Sequence, residues 1–144
     1  MLGNHIAFAT AASNNATVSG RYRGGAHRDM SGPSTRGDGL DSHHMPDRSA
    51  DPHVSAADGP AVQMDPLDHK ATSSWGSGRA ATRYRAQTAK MIQEGHYRDA
   101  MAREIRDVRR VAREVSGHAR KYNEAIREML RYARSTSQLP ARST

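Results

Sequence analysis

The amino-acid sequence predicts an α+β protein in which an irregular N-terminal segment and a short strand-bearing centre precede three consecutive helices. Three observations lead there. Residues 1–39 are rich in Gly, Ser, Asn, Ala and Thr, with turn signals at Gly20, Gly24-Gly25, Gly32-Pro33 and Gly37-Asp38-Gly39, a composition that forms loops rather than a core. Ala61 to Met64 is a short apolar run bounded by Pro60 and Pro66, as a strand at the edge of turns would be. Beyond Arg79, apolar residues recur every three or four positions, the period of an amphipathic helix.

Taken in order, Ile6 to Ala9 and Val18 to Tyr22 are short apolar stretches with the length of an edge strand but without sustained alternation. The centre, residues 40–76, carries the strand at Ala61–Met64, and Ser74 or Ser77 is placed to cap the first helix. That helix runs from about Arg79 to Glu94, with Tyr84, Thr88, Met91 and Ile92 inward and Gly95 as its stop. The second spans about Tyr97 to Ser116, with a stripe of Met101, Ile105, Val108, Ala112 and Val115, and ends at Gly117. The third, from about Arg120 to Arg134, turns Tyr122, Ala125, Ile126, Met129, Leu130 and Ala133 inward. Residues 135–144, including Leu139-Pro140, read as a frayed tail.

Composition narrows the function classes. With 144 residues, 35% hydrophobic and 5% aromatic, the chain makes one domain with a small core, and Trp75 reads as an anchor of that core rather than a base-stacking platform, because so few large apolar residues compete with it. There is no cysteine, so thiol nucleophiles and zinc ribbons are excluded and any transition-metal site must use His, Asp or Glu. No phosphate-binding loop, dinucleotide fingerprint or zinc-deaminase signature is present. Residues 1–12 are mildly apolar, without Lys or Arg; they read as neither a standard signal peptide nor a membrane span, and no membrane partner is expected. Residues 79–144 hold 16 Lys/Arg against 7 Asp/Glu, a balance of +9, while residues 1–78 hold 6 against 8. A cationic helical half favours a polyanion such as nucleic acid.

The residues with chemical potential are histidines. His43 and His44 are adjacent, and in an extended segment neighbouring side chains point to opposite sides, so one imidazole can hold a metal while the other faces substrate. His69 follows the strand after a loop, and Asp68 beside it can ligate a metal or orient an imidazole. His27 sits in a glycine-rich loop that can fold back on this centre. His96 and His118 mark helix boundaries. Each of these residues alone is as readily explained as a solvated side chain; the combination carries the chemistry.

On Ser42-His43-His44-Met45-Pro46, a gap of roughly twenty-five residues from His44 to His69, Gly59-Pro60-Ala61-Val62-Gln63-Met64 and Asp68-His69-Lys70-Ala71-Thr72 entering a helix, the chain resembles the HNH, or ββα-metal (His-Me finger), nucleases. The likeness is to the toxin domains at the C-termini of bacterial polymorphic toxins; the stretch from Gly24 to Ala133, with Trp75-Gly76 and Gly95-His96-Tyr97, also looks like a recurring bacterial module found at the ends of secretion-associated proteins and toxins. The resemblance implies a small ββα-metal-like hairpin core over residues 40–76, followed by the helical region at 77–134. It implies His43 and His69 as metal ligands, His44 as general base, and a divalent cofactor such as Mg, Zn or Ni. Thr72 and Ser73 stand where the family places a last ligand, so Asp68 or water would complete the shell, with Thr72 an accessory group, and Gln63 is the nearest amide to the family's strand Asn.

The leading expectation is therefore a metal-dependent endonuclease of low sequence specificity acting on DNA or RNA, with Arg103, Arg106, Arg110 and Arg127 holding phosphates. The toxin resemblance further implies secretion or delivery into a target cell, action in its cytoplasm and a cognate immunity protein. Two other classes stay open: a non-enzymatic helical module that binds a partner protein or acidic surface, and a metal-independent enzyme using His43 and His44 or His27 as acid and base.

Overall fold

A computed structural model describes residues 20–33 and 35–139; the Ile6–Ala9 stretch and the start of the Val18–Tyr22 stretch lie outside them. The architecture is α+β. Three short strands, β1 (Gly24–Ala26), β2 (Asp41–His44) and β3 (Pro60–Met64), form an antiparallel sheet in the order β1-β3-β2. One-turn helices α1 (His27–Met30) and α2 (Pro66–Lys70) follow β1 and β3, and the long helices are α3 (Arg79–Gln93), α4 (Tyr97–Ser116) and α5 (Asn123–Ser135). The N-terminal segment, expected to be irregular apart from a candidate edge strand at Val18–Tyr22, thus contributes its edge strand at Gly24–Ala26 instead, followed by a helical turn.

β3 is the middle strand and all five of its residues are buried, which is why it reads as an unbroken apolar run rather than an alternation. Its register sets Gly24 opposite Val62 on one side and His43 opposite Val62, His44 opposite Ala61, on the other. The buried amide of Gln63 accepts from Arg23 N at 3.0 Å and donates to Asp38 Oδ2 at 2.9 Å, tying the loops at both sheet edges to the middle strand.

The helix breaks fall where the glycines predicted. Gly95 has φ +84°, and Gly117 caps α4 in the left-handed region at φ +72°. Gly78 occupies the N-cap of α3 and no side chain caps it, so neither Ser74 nor Ser77 performs that task. On α4 the buried face is centred on Met101, Glu104, Val108, Val111 and Ala112, and Val115 is exposed; the inward stripe is rotated from the one expected. α5 buries Ala125, Ile126, Met129 and Ala133 against β1 and β3. The chain after α5 is not frayed at Leu139, which is buried in the core while Gln138 Nε2 donates to Asp58 O at 3.0 Å.

Glu104 is the most confined charged residue of α4: burial, then the neighbouring Asp107 and Asp47 carboxylates, push its pKa up to about 8. At neutral pH it is therefore held largely as the uncharged acid, the form that a buried site tolerates.

β1 exists because α5 lies directly on it. A Cβ added to Gly24 would stand 1.9 Å from Ala125 O, so only glycine lets the strand pass beneath the helix backbone. We expect Gly24→Ala to destabilise the protein by about 1–3 kcal/mol or more, as overpacking against backbone does, measured by urea unfolding; unchanged stability would show that α5 does not rest on β1.

Candidate functional site

Strand alternation sorts the site into two pairs. Along β2, Asp41 and His43 share one face, and Ser42 and His44 the other. The first pair meets α2: His69 donates from Nδ1 to Asp41 Oδ2 at 2.9 Å, and its ring stands edge-on to that of His43 with centroids 5.2 Å apart. The second pair meets His27, brought in by the turn after β1 and fixed by its backbone N–H to Gly59 O at 2.9 Å. His27 Nδ1 hydrogen-bonds Ser42 Oγ at 2.7 Å, and its ring stacks on His44 with centroids 4.1 Å apart and planes 26° apart.

His44 is fixed from two further directions. A Cβ on Gly59 would lie 2.8 Å from His44 Cδ2, so the glycine makes room for the ring. The imidazole Nε2 stands 2.9 Å from Ala56 O; a carbonyl only accepts, so Nε2 carries a hydrogen, and in the neutral ring Nδ1 is the nitrogen with the lone pair. Burial, followed by the proximity of His44 and Arg48, lowers the pKa of His27, which keeps the stacked partner uncharged at neutral pH.

His43 is the innermost of the four imidazoles, only 3% exposed. Burial first, then His69 and His44, bring its pKa down to about 3. Its Nε2 has no hydrogen-bond partner among the described residues, a state that costs about 1–3 kcal/mol unless a ligand satisfies the atom. His69, oriented by Asp41 through Nδ1, keeps Nε2 for another contact, the arrangement that a carboxylate imposes on metal-binding histidines. A centroid separation of 5.2 Å suits two imidazoles sharing one ion at nitrogen distances of about 2.0–2.1 Å. Among the described residues no group of three His, Asp or Glu side chains is placed to hold a metal. The donor set at this point is therefore at most two imidazoles, short of a closed structural site.

Asp68 is not part of this donor set. Although adjacent to His69 in sequence, it is buried towards the α4–α5 junction, where it accepts from Ser116 Oγ at 2.8 Å, Lys121 Nζ at 2.8 Å and Tyr122 OH at 2.5 Å. Successive residues of a helix point about 100° apart, and α2 uses that angle to send one side chain to the site and the other to the core. Thr72 is also inward and structural, donating to His69 O at 2.8 Å.

His43, His44 and His69 line a cleft of about 830 Å³ walled by the β2–β3 loop and by the α2–α3 loop, with His27 behind His44. Arg48, Arg85, Ser42 and Trp75 line it, and sequence reasoning missed all four as site residues. Ser42 was recoverable from the two-residue period that pairs it with His44, as Asp41 was from its pairing with His43. Trp75 is 47% exposed, so it is not the core anchor that its scarcity suggested. The arginines expected at the site are elsewhere. Arg103, Arg106 and Arg110 line a separate groove with Tyr84 on α3 and α4; Arg110 is held by Asp107 and Glu114 at 2.9 and 2.8 Å, and Arg103 by Gln87 at 2.6 Å. Arg127 pairs with Glu124 on α5.

Compared with family models, curated proteins and solved structures, the chain matches none of them. Among the described residues no helix is long and apolar enough to cross a membrane.

The buried neutral His43 makes a thermodynamic prediction. Below pH 6.5 the unfolded chain takes up a proton that the folded state refuses down to about pH 3. Stability should therefore fall as the pH falls through that window, and His43 should contribute a slope of up to about 1.4 kcal/mol per pH unit. Urea unfolding in the presence of a chelator at a series of pH values should show a shallower decline for His43→Gln than for the wild type; parallel curves would mean that His43 is not held neutral.

Proposed function

We propose that the chain is a phosphodiesterase acting on nucleic acid, with His44 as general base and with His43 and His69 as the residues that hold a divalent cation. The observation that carries this reading is a buried His43 Nε2 with no hydrogen-bond partner among the described residues, in a ring 5.2 Å from that of His69, at a cleft that His44 also lines. A structural histidine cluster would have its nitrogens satisfied.

In this reading His44 Nδ1 takes a proton from water as the water oxygen forms its bond to phosphorus and the P–O bond to the leaving nucleoside breaks. The stacked His27 and the Ala56 carbonyl hold the ring in that orientation, so His27 is a positioning residue. Arg48, at the wall of the same cleft, supplies positive charge for a phosphate oxygen. A bound divalent cation would supply charge stabilisation at the scissile phosphate. The remote Arg103 and Arg106 groove extends the cationic surface without reading base sequence.

A second reading has one observation in its favour: the His27–His44 stack lies beside Ser42, which suits two imidazoles dividing acid and base roles on RNA without a metal. The two readings separate in one experiment. DNA and RNA substrates are incubated with Mg, Mn, Zn or Ni, or with EDTA, and variants are compared for cleavage and for metal-induced change in Tm. We expect His44→Ala to lower the cleavage rate by about 10²–10⁴-fold while keeping the metal-induced rise in Tm, and His43→Ala or His69→Ala to remove that rise. Cleavage of RNA that EDTA leaves intact would favour the two-imidazole mechanism; full activity in all three variants would exclude both.

A further inference from the structure

Trp75 is the only tryptophan of the chain, and it lies at the wall of the histidine cleft with 47% of its surface exposed. In a protein with so little large apolar surface, leaving the indole outside the core forgoes stabilisation. The loop that carries it is nevertheless held firmly. Ser73 donates from its backbone N–H and its hydroxyl to the Asp107 carboxylate at 2.7 and 2.6 Å. Trp75 N donates to Thr72 O at 3.2 Å, and Arg85 Nη1 donates to both Ser74 O and Gly76 O at 2.7 Å. Arg85 thus grips the carbonyls on either side of Trp75 while placing a guanidinium at the cleft. A loop fixed from three directions, presenting its one large apolar side chain to solvent, is built as a contact surface.

Resting on the phosphodiesterase reading, we infer that Trp75 is a stacking platform for an unpaired base, so that the cleft takes single-stranded nucleic acid in preference to duplex. A base offers its π-face to an indole only when it has left the stack of its own helix, whereas the bases of a single strand stack on aromatic side chains at no unpairing cost. The concave cleft of about 830 Å³ has the dimensions of a site for small ligands, which unpaired nucleotides enter more readily than a base-paired helix. Arg48 and Arg85, lining the same cleft, supply the charge that a nucleotide phosphate requires.

Because Trp75 is the sole tryptophan, its fluorescence reports on this contact alone. The full chain carrying His44→Ala, which spares the substrate, is titrated with short labelled single-stranded DNA and RNA and with a duplex of the same sequence, following tryptophan emission and probe anisotropy together. Single strands should quench Trp75. In that background Trp75→Ala should weaken single-strand binding by roughly 5- to 150-fold, the range for one lost base stack, Trp75→Tyr should recover most of it, and duplex binding should not respond to either change. Circular dichroism of Trp75→Ala checks that the exposed position leaves the fold intact. Single strands that bind by anisotropy without quenching, or with equal affinity in Trp75→Ala, would overturn this inference and leave the phosphodiesterase reading standing. If neither DNA nor RNA binds in any form, that underlying reading fails, the inference falls with it, and Trp75 becomes a contact for a protein partner.

Discussion

The site depends on the register of β2 against β3. Pairing His43 with Val62 and His44 with Ala61 sends Asp41 and His43 to the α2 side and Ser42 and His44 to the His27 side. A slip of one residue would exchange the two sets, setting His44 against His69 and His43 against His27, and the Ala56 and Gly59 contacts that orient His44 would be lost. Several contacts hold the register. Met45 N donates to Pro60 O at 2.9 Å just beyond the strand end, Gln63 ties the middle strand to both edge loops, and the Asp41–His69 hydrogen bond joins β2 to α2.

A second polar assembly holds the helices to that sheet. Tyr122 OH donates to Asp68 while accepting from Asp65 N at 3.0 Å, and Tyr22 OH donates to Asp65 Oδ2 at 2.7 Å. Lys121 Nζ lies 2.6 Å from Asp65 and 2.8 Å from Asp68. The two carboxylates flank the start of α2, so the cluster sets where that helix begins and hence where His69 stands. A buried carboxylate with this many donors is costly to deprive of them, which makes Asp68 a structural residue of the fold at one remove from the chemistry.

The long helices were legible because their signals are local: apolar spacing and a glycine stop agree at each break. β3 was legible as an apolar run between prolines. β1 was not, since Gly24-Gly25-Ala26 has no side-chain pattern and owes its conformation to α5, a partner about a hundred residues away. Adjacent histidines marked the centre of the site, but Asp68 was misassigned because adjacency on a helix separates side chains that adjacency in sequence brings together. Trp75 was misplaced for another reason. Scarcity of large apolar residues argued for burying it, whereas the core is filled by Met30, Met45, Met64, Met101 and Met129 together with Tyr22, Tyr97 and Tyr122, methionine adapting to gaps that aromatic rings leave. The cationic half predicted from composition is present, but most of the arginines expected to hold phosphate lie away from the cleft, whose cations are Arg48, from the β2–β3 loop, and Arg85, from within α3.

The central claim is that burial holds His43 uncharged while the Ala56 carbonyl orients His44 through Nε2 and the Asp41 carboxylate orients His69 through Nδ1. Long-range proton–nitrogen correlation spectra of the imidazoles, recorded near neutral pH in the presence of a chelator, read those tautomers directly. The structure predicts a neutral His43, with hydrogens on His44 Nε2 and on His69 Nδ1. A charged His43, or His44 carrying its hydrogen on Nδ1, would contradict the account.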